Sequence, residues 1–209
     1  MTHYLGKTGR IAASIYTRLP ALQRGDGEVL TRCLLFTGEP GIGKTSLAID
    51  LAAAISGDKV DAIRMGRAFC VETCNGQSCT IERVRQWRYS QCYRPITGTG
   101  TGVYLVDEID GAGPAACNEL RSFLDNLYPG RVFIATTNKK PEELQEQLQS
   151  RFKTYRFDPV PEHEIAGWLL LQFPLLTPQM AADTAKGVRG NVRAARADAL
   201  TLVEALEVA

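Results

Sequence analysis

Three short, unbroken apolar runs stand out along the chain: Cys33-Leu34-Leu35-Phe36, Val103-Tyr104-Leu105-Val106 and Val132-Phe133-Ile134-Ala135. Each gives way to polar or turn residues, and runs of this kind suit strands buried on both faces of a parallel sheet. Two weaker runs, at 68–72 and 154–157, are candidates for a fourth and a fifth strand. Helical patterns lie between them, over 45–54, 81–89, 114–127 and 142–148. Alternation of this sort predicts an α/β layer built on a parallel sheet. Pro159-Val160-Pro161 breaks the pattern, and beyond it only helical stretches follow, at 162–172, 178–187 and 191–208. The last is rich in Ala, Leu, Arg and Glu, all good helix formers. The expected organisation is therefore an α/β domain over 1–158 and a small all-α domain over 159–209. Gly98-Thr99-Gly100-Thr101-Gly102 reads as a flexible loop ahead of a strand.

Composition changes this picture little. With 209 residues, 44% hydrophobic and 22% charged, the chain is long enough to bury a substantial core. A net charge of +1 argues neither for nor against a nucleic-acid partner, since it hides any local asymmetry. No apolar run approaches the roughly 18–20 residues that cross a bilayer. The opening Met1-Thr2-His3-Tyr4 lacks the basic-then-apolar pattern of a signal peptide. A cytoplasmic protein is expected, with its six cysteines as reduced thiols. Cys70, Cys74, Cys79 and Cys92 lack the tight Cys-x-x-Cys knuckle of a zinc site, and Cys70 suits a strand interior. His3 and His163 are isolated, and neither is given a role.

The candidate chemistry begins after the first strand. Gly38-Glu39-Pro40-Gly41-Ile42-Gly43-Lys44-Thr45 fits the GxxxxGK[ST] pattern of a P-loop. Glycines let the backbone curl so that successive N–H groups face phosphate oxygens. The helix that follows adds the positive end of its dipole. Lys44 supplies a mobile cation for the β- and γ-phosphates, Thr45 offers magnesium a hydroxyl, and Ser46 continues the nucleotide-binding stretch into the helix. A second strand ends in Asp107-Glu108. Asp107 at its tip is suited to hold magnesium through the ion's water shell, and Glu108 to orient or deprotonate an attacking water.

With these motifs the sequence resembles the AAA+ ATPases over nearly its whole length. The resemblance implies a P-loop NTPase parallel sheet (a RecA-like core) followed by a helical lid, with ATP and Mg2+ as cofactors and ATP hydrolysis as the activity. Ile134-Ala135-Thr136-Thr137-Asn138 looks like the family's sensor 1, so that Asn138 would help position water near the γ-phosphate. Leu148-Gln149-Ser150-Arg151-Phe152 stands where the family carries an arginine finger, which makes Arg151 a residue acting in a neighbour's ATP site. Gly190-Asn191-Val192-Arg193 looks like sensor 2, with Arg193 contacting nucleotide from the lid. A homo- or hetero-oligomeric ring is implied.

Within the family the sequence is most similar to the clamp-loader branch. Cys70–Ser78 followed by Ile81-Glu82-Arg83-Val84-Arg85 looks like that branch's strand, polar turn and arginine-bearing helix. Ser150-Arg151-Phe152 departs from the Ser-Arg-Cys of many clamp loaders. Asn75-Gly76-Gln77-Ser78 lacks the aromatic of protein-threading pore loops, and 110–131 holds no room for the hairpin of branch-migration helicases. Clamp-loader subunits continue into a collar domain, whereas this sequence is expected to end with its lid. Arg83, Arg85, Arg88 and Arg94, interleaved with Trp87, Tyr89 and Tyr93, are either a DNA-tracking face or a solvated helix face. The implied function is an ATP-driven switch in DNA replication or repair, with a sliding clamp or another replication protein as partner. The alternative is an ATPase that remodels a protein partner, such as a helicase loader.

Overall fold

The computed structural model describes residues 4–208; the opening Met1–His3, with the isolated His3, and Ala209 lie outside them. The chain divides into two compact units. One comprises Ser14–Thr37 and Thr45–Arg156; the other joins Gly38–Lys44 to the described parts of Met1–Ala13 and Phe157–Ala209.

The first unit is a five-stranded parallel sheet: β1 (Cys33–Thr37), β2 (Val71–Asn75), β3 (Gly102–Asp107), β4 (Arg131–Thr137) and β5 (Lys153–Arg156), in the order β2-β3-β4-β1-β5. The three unbroken apolar runs became the three central strands. All residues of β1 and β4 are buried, and β3 is buried up to Asp107. The weaker runs became the edges, where one side of the ladder is unpaired and polar residues are tolerated. Among the described residues, no helix is long and apolar enough to cross a membrane.

Several elements differ from the sequence expectation, each for a local reason. Strand β2 starts at Val71 rather than near residue 68, because the Asp58 carboxylate takes the Cys70 amide at 2.7 Å and Phe69 turns outward. The helix expected over 142–148 is a 3-10 turn, Pro141–Glu143, and a short helix, Glu146–Gln149. Between them Leu144 is extended and buried, and the Gln149 side chain donates to its carbonyl at 2.8 Å. The Gly98–Gly102 stretch is tied down rather than loose. Thr99 donates through Oγ1 to the Ile55 carbonyl at 2.7 Å and through its amide to Ser56. Thr101 is fully buried with its hydroxyl on the Gln23 carbonyl. Helices Gly6–Tyr16, Leu19–Arg24, Val29–Arg32 and Val60–Arg64 were not anticipated.

One face of the sheet is covered by helices Ile81–Ser90 and Pro114–Asp125, which share an aromatic cluster. Trp87 lies 5.2 Å from Tyr104, 6.1 Å from Phe123 and 6.3 Å from Phe133, measured between ring centroids. Trp87, read in the sequence as interleaved with the arginines, is thus a core residue, while Tyr89 and Tyr93 are exposed. Two buried arginines brace the strand entrances. Arg32 donates to the carbonyls of Tyr128, Arg131 and Leu127 at 2.7, 2.8 and 3.2 Å, and burial lowers its pKa. Arg131 donates to the carbonyls of Gln91 and Tyr93.

The second unit has its own core, in which Ile165, Leu169, Ala181, Ala185, Ala195 and Ala199 are fully buried. They come from helices Glu162–Gln172, Pro178–Gly187 and Val192–Val208. Alanines at the contacts let the helix axes approach closely, and Thr177 caps the second helix through the Met180 amide.

The Trp87 indole N–H is buried without a hydrogen-bond partner, so the ring stabilises by packing alone. Trp87→Ala is expected to cost about 3–5 kcal/mol and Trp87→Phe less than about 2 kcal/mol. Urea unfolding midpoints of the two variants check this ordering.

Candidate nucleotide site

In the helical unit, Gly38, Gly41 and Gly43 all have positive φ, at 147°, 81° and 98°. A side chain at Gly41 would collide with Asn191, so glycine is required there on both conformational and steric grounds. The Arg193 amide donates to the Gly41 carbonyl at 3.2 Å. Asn191 meanwhile caps its own helix by accepting from the Ala194 amide at 3.0 Å. Thr8 donates through Oγ1 to the Ile42 carbonyl at 3.3 Å. Lys44 is buried, and its ammonium bonds the carbonyls of Gly38 and Glu39 at 2.8 and 2.6 Å. Glu39 and Pro40 are exposed, Ile42 is buried, and the Arg193 side chain is exposed. The P-loop stretch and the start of the last helix, far apart in sequence, therefore share a backbone contact.

In the sheet unit the polar tips of the strands converge. The Thr45 hydroxyl donates to Asp107 Oδ1 at 2.8 Å, and the Thr136 hydroxyl donates to the same oxygen. Thr136 Oγ1 also accepts from the Glu108 amide at 3.0 Å. Glu108 has left-handed backbone, φ 53° and ψ 54°, which is uncommon for a non-glycine residue and costs of order 1–3 kcal/mol. That turn presents its carboxylate to two carboxamides. Asn138 Nδ2 donates to Oε1 at 3.3 Å and Asn75 Nδ2 to Oε2 at 3.4 Å. Gly76 abuts the Glu108 carbonyl, leaving no space for a Cβ. Asp110, just beyond, accepts from Thr137 at 2.6 Å. Ser46 is exposed on the helix that follows the loop.

Thr45, Asp107, Glu108 and Asn138 are thus brought together by direct bonds. Arg151 does not join them: its guanidinium engages Asp125 and Ser150. Sequence reasoning missed Asn75 and Thr136. Asn75 pairs with Asp107 across the β2–β3 ladder, a neighbour relation that only the strand order supplies. Of the basic helix, Arg85 and Arg88 both pair with Glu119, at 3.9 and 3.0 Å. Among the described residues, no three His, Cys, Asp or Glu side chains gather as a metal cluster. The Thr45 hydroxyl and Asp107 carboxylate are nonetheless hard oxygen donors in mutual contact, which suits magnesium.

A glycine-rich loop after β1 and an acid pair after β3 of a parallel sheet define a P-loop nucleoside-triphosphatase fold. The sequence profile of the ATPase family associated with various cellular activities (AAA) matches residues 34–159, and the chain belongs to this family. Curated relatives include a replication factor C small subunit of Methanothermobacter thermautotrophicus, 28% identical over 70% of this chain and 44% of that one. Replication factor C subunit 3 of Saccharomyces cerevisiae is 31% identical over 63% of this chain and 37% of its own length. The chain thus spans less than half the length of these relatives. A solved structure of the Thermotoga maritima RuvB Holliday junction branch migration motor shares the fold, with a TM-score of 0.75 and 20% identity. That match covers 98% of this chain and 64% of the RuvB chain.

The pair of carboxamides on Glu108 generates a test. Hydrogen bonds of 3.3–3.4 Å between exposed groups sit at the weak end of the range, about 0.5–1.5 kcal/mol each, or roughly 2–10-fold in rate. Asn75→Ala is expected to lower ATP turnover within that range and leave nucleotide affinity unchanged, as read by steady-state turnover and by titration with a fluorescent ATP analogue.

Proposed function

We propose that this chain binds ATP with magnesium and hydrolyses it at a subunit interface, driving a conformational change in DNA replication or repair as a clamp-loader-like subunit. The observation that carries the hydrolytic reading is the Glu108 carboxylate held between Asn75 and Asn138. A carboxylate fixed by two donors keeps its remaining acceptor capacity aimed in one direction, which suits a base that must take a proton from water.

In this reading the backbone amides of Gly38, Glu39, Pro40, Gly41, Ile42 and Gly43, with Lys44, Thr45 and Ser46, bind the nucleotide. Lys44 exchanges its carbonyl partners for phosphate oxygens. Thr45 and Asp107 would hold the magnesium, which when bound would offset the negative charge of the phosphates. Asn138 orients Glu108, Arg193 contacts nucleotide, and Arg151 acts in trans on the ATP of an adjacent subunit in a homo- or hetero-oligomeric ring. The clamp-loader assignment is supported by the replication factor C relatives, more than half of whose length lies outside the match. DNA is the proposed substrate of the Arg83, Arg85 and Arg88 face, where phosphate contacts would replace Glu119 on two of the three arginines.

One observation favours a protein partner as well. Phe69, Tyr93 and Ile96 are exposed and line one open cleft beside β2, an apolar surface of the kind that docks protein. A sliding clamp or another replication protein fits the first reading, and the client of a protein remodeller or a helicase loader fits the alternative.

Two measurements test the proposal. ATP turnover should rise more steeply than linearly with protein concentration and increase again with primed DNA; indifference to primed DNA, single strands and a clamp alike removes the replication reading. Arg151→Ala should bind ATP normally and hydrolyse it about 10³–10⁵-fold more slowly. Mixing it with Lys44→Ala subunits should restore part of the turnover, and absence of any recovery counts against action in trans.

A further inference from the structure

We propose that Asp125 is the positioning residue for Arg151, fixing the guanidinium by one edge so that its other edge is presented outward. The inference rests on the reading of Arg151 as a residue acting on a neighbour's nucleotide. Arg151 Nε donates to Asp125 Oδ1 at 3.0 Å and Nη2 to Oδ2 at 3.2 Å, a side-on fork. Nη1 donates to Ser150 Oγ at 2.9 Å. A guanidinium carries five N–H donors, one on Nε and two on each terminal nitrogen. The three bonds leave one donor on Nη1 and one on Nη2 for a phosphate. Asp125 therefore holds the group without consuming the edge that would do the work.

Asp125 sits where a carboxylate is otherwise disfavoured. It is the last residue of helix Pro114–Asp125, next to the negative end of the helix dipole. Two cations compensate, Arg151 in the fork and Arg121 one turn earlier at 4.0 Å from Oδ2. Two guanidinium charges against one carboxylate leave the cluster net positive. The Arg151 side chain is 22% exposed and that of Asp125 44%, so the fork lies at the surface and is held by its two-bond geometry rather than by burial. An arginine on a long stem loses much rotamer entropy when it engages a phosphate; fixing it beforehand removes that cost from the reacting complex.

The test uses the full chain with ATP and magnesium. Asp125→Ala should lower kcat about tenfold or more with half-saturating ATP unchanged, and Asp125→Glu should recover part of the loss. Asp125→Ala subunits should regain turnover when mixed with Lys44→Ala subunits, whose Arg151 is intact; a folding defect confined to the variant subunit would give no such recovery. Turnover equal to or above wild type in Asp125→Ala overturns the proposal, the increase meaning that the pair withholds Arg151 instead. Loss without recovery in the mixture also overturns it. If Asp125→Ala unfolds below the assay temperature, Asp125→Asn takes its place with the same expected outcomes. Arg151→Ala is run alongside: wild-type turnover in that variant defeats the reading of Arg151 itself, whereas loss there with no effect at Asp125 defeats only this inference.

Discussion

A single carboxylate oxygen ties together the parts of the sheet unit that carry its chemistry. Asp107 Oδ1 accepts from Thr45, at the start of a helix, and from Thr136, on the adjacent strand β4. Strand β3 thereby acquires side-chain bonds at its tip in addition to its backbone ladder. Thr136 then takes the next amide, that of Glu108, where the backbone turns left-handed. From that turn follow the direction of the Glu108 carboxylate, its contact with Asn75 and Asn138, and the approach of Asp110 to Thr137. The geometry is maintained by protein hydroxyls and amides, so the acid pair is oriented before any ligand arrives.

The central strands and the acid-bearing tip were legible in the sequence because each depends on consecutive residues. An unbroken apolar run is buried on both faces wherever it pairs, and the glycines of the P-loop announce their own backbone. The edge strand β2 was legible only approximately. Its apolar residues begin at Ala68, but the Asp58 carboxylate, distant in sequence, takes the Cys70 amide ahead of the strand. Asn75 and Thr136 matter through strand order, and periodicity carries no information about which strands are neighbours. Arg32 and Arg131 were equally hidden. A guanidinium satisfied by backbone carbonyls needs no acidic partner, so charge pairing gives no hint of its burial.

The helix Ile81–Ser90 shows how one segment serves two environments. Its arginines looked continuous with its aromatics, yet the spacing puts Val84 and Trp87 on the sheet side and Arg85 and Arg88 within reach of Glu119. Glu119 holds both guanidinium groups on the surface, and its side chain is only 18% exposed. Two guanidinium groups against one carboxylate leave this surface net positive, and its remaining pull on an anion is screened by salt beyond about 10 Å.

The burial of Trp87 has a spectroscopic consequence. The chain has two tryptophans, Trp87 and Trp168, and they fall in different units. Trp87 sits in an apolar aromatic cluster with its indole N–H unpaired, a setting that gives blue-shifted emission. Trp168 is half-buried on helix Glu162–Gln172, where partial water contact shifts emission to longer wavelength. Each unit thus carries its own native fluorophore of distinct colour, and single Trp→Phe replacements would separate the melting of one unit from that of the other without any added label.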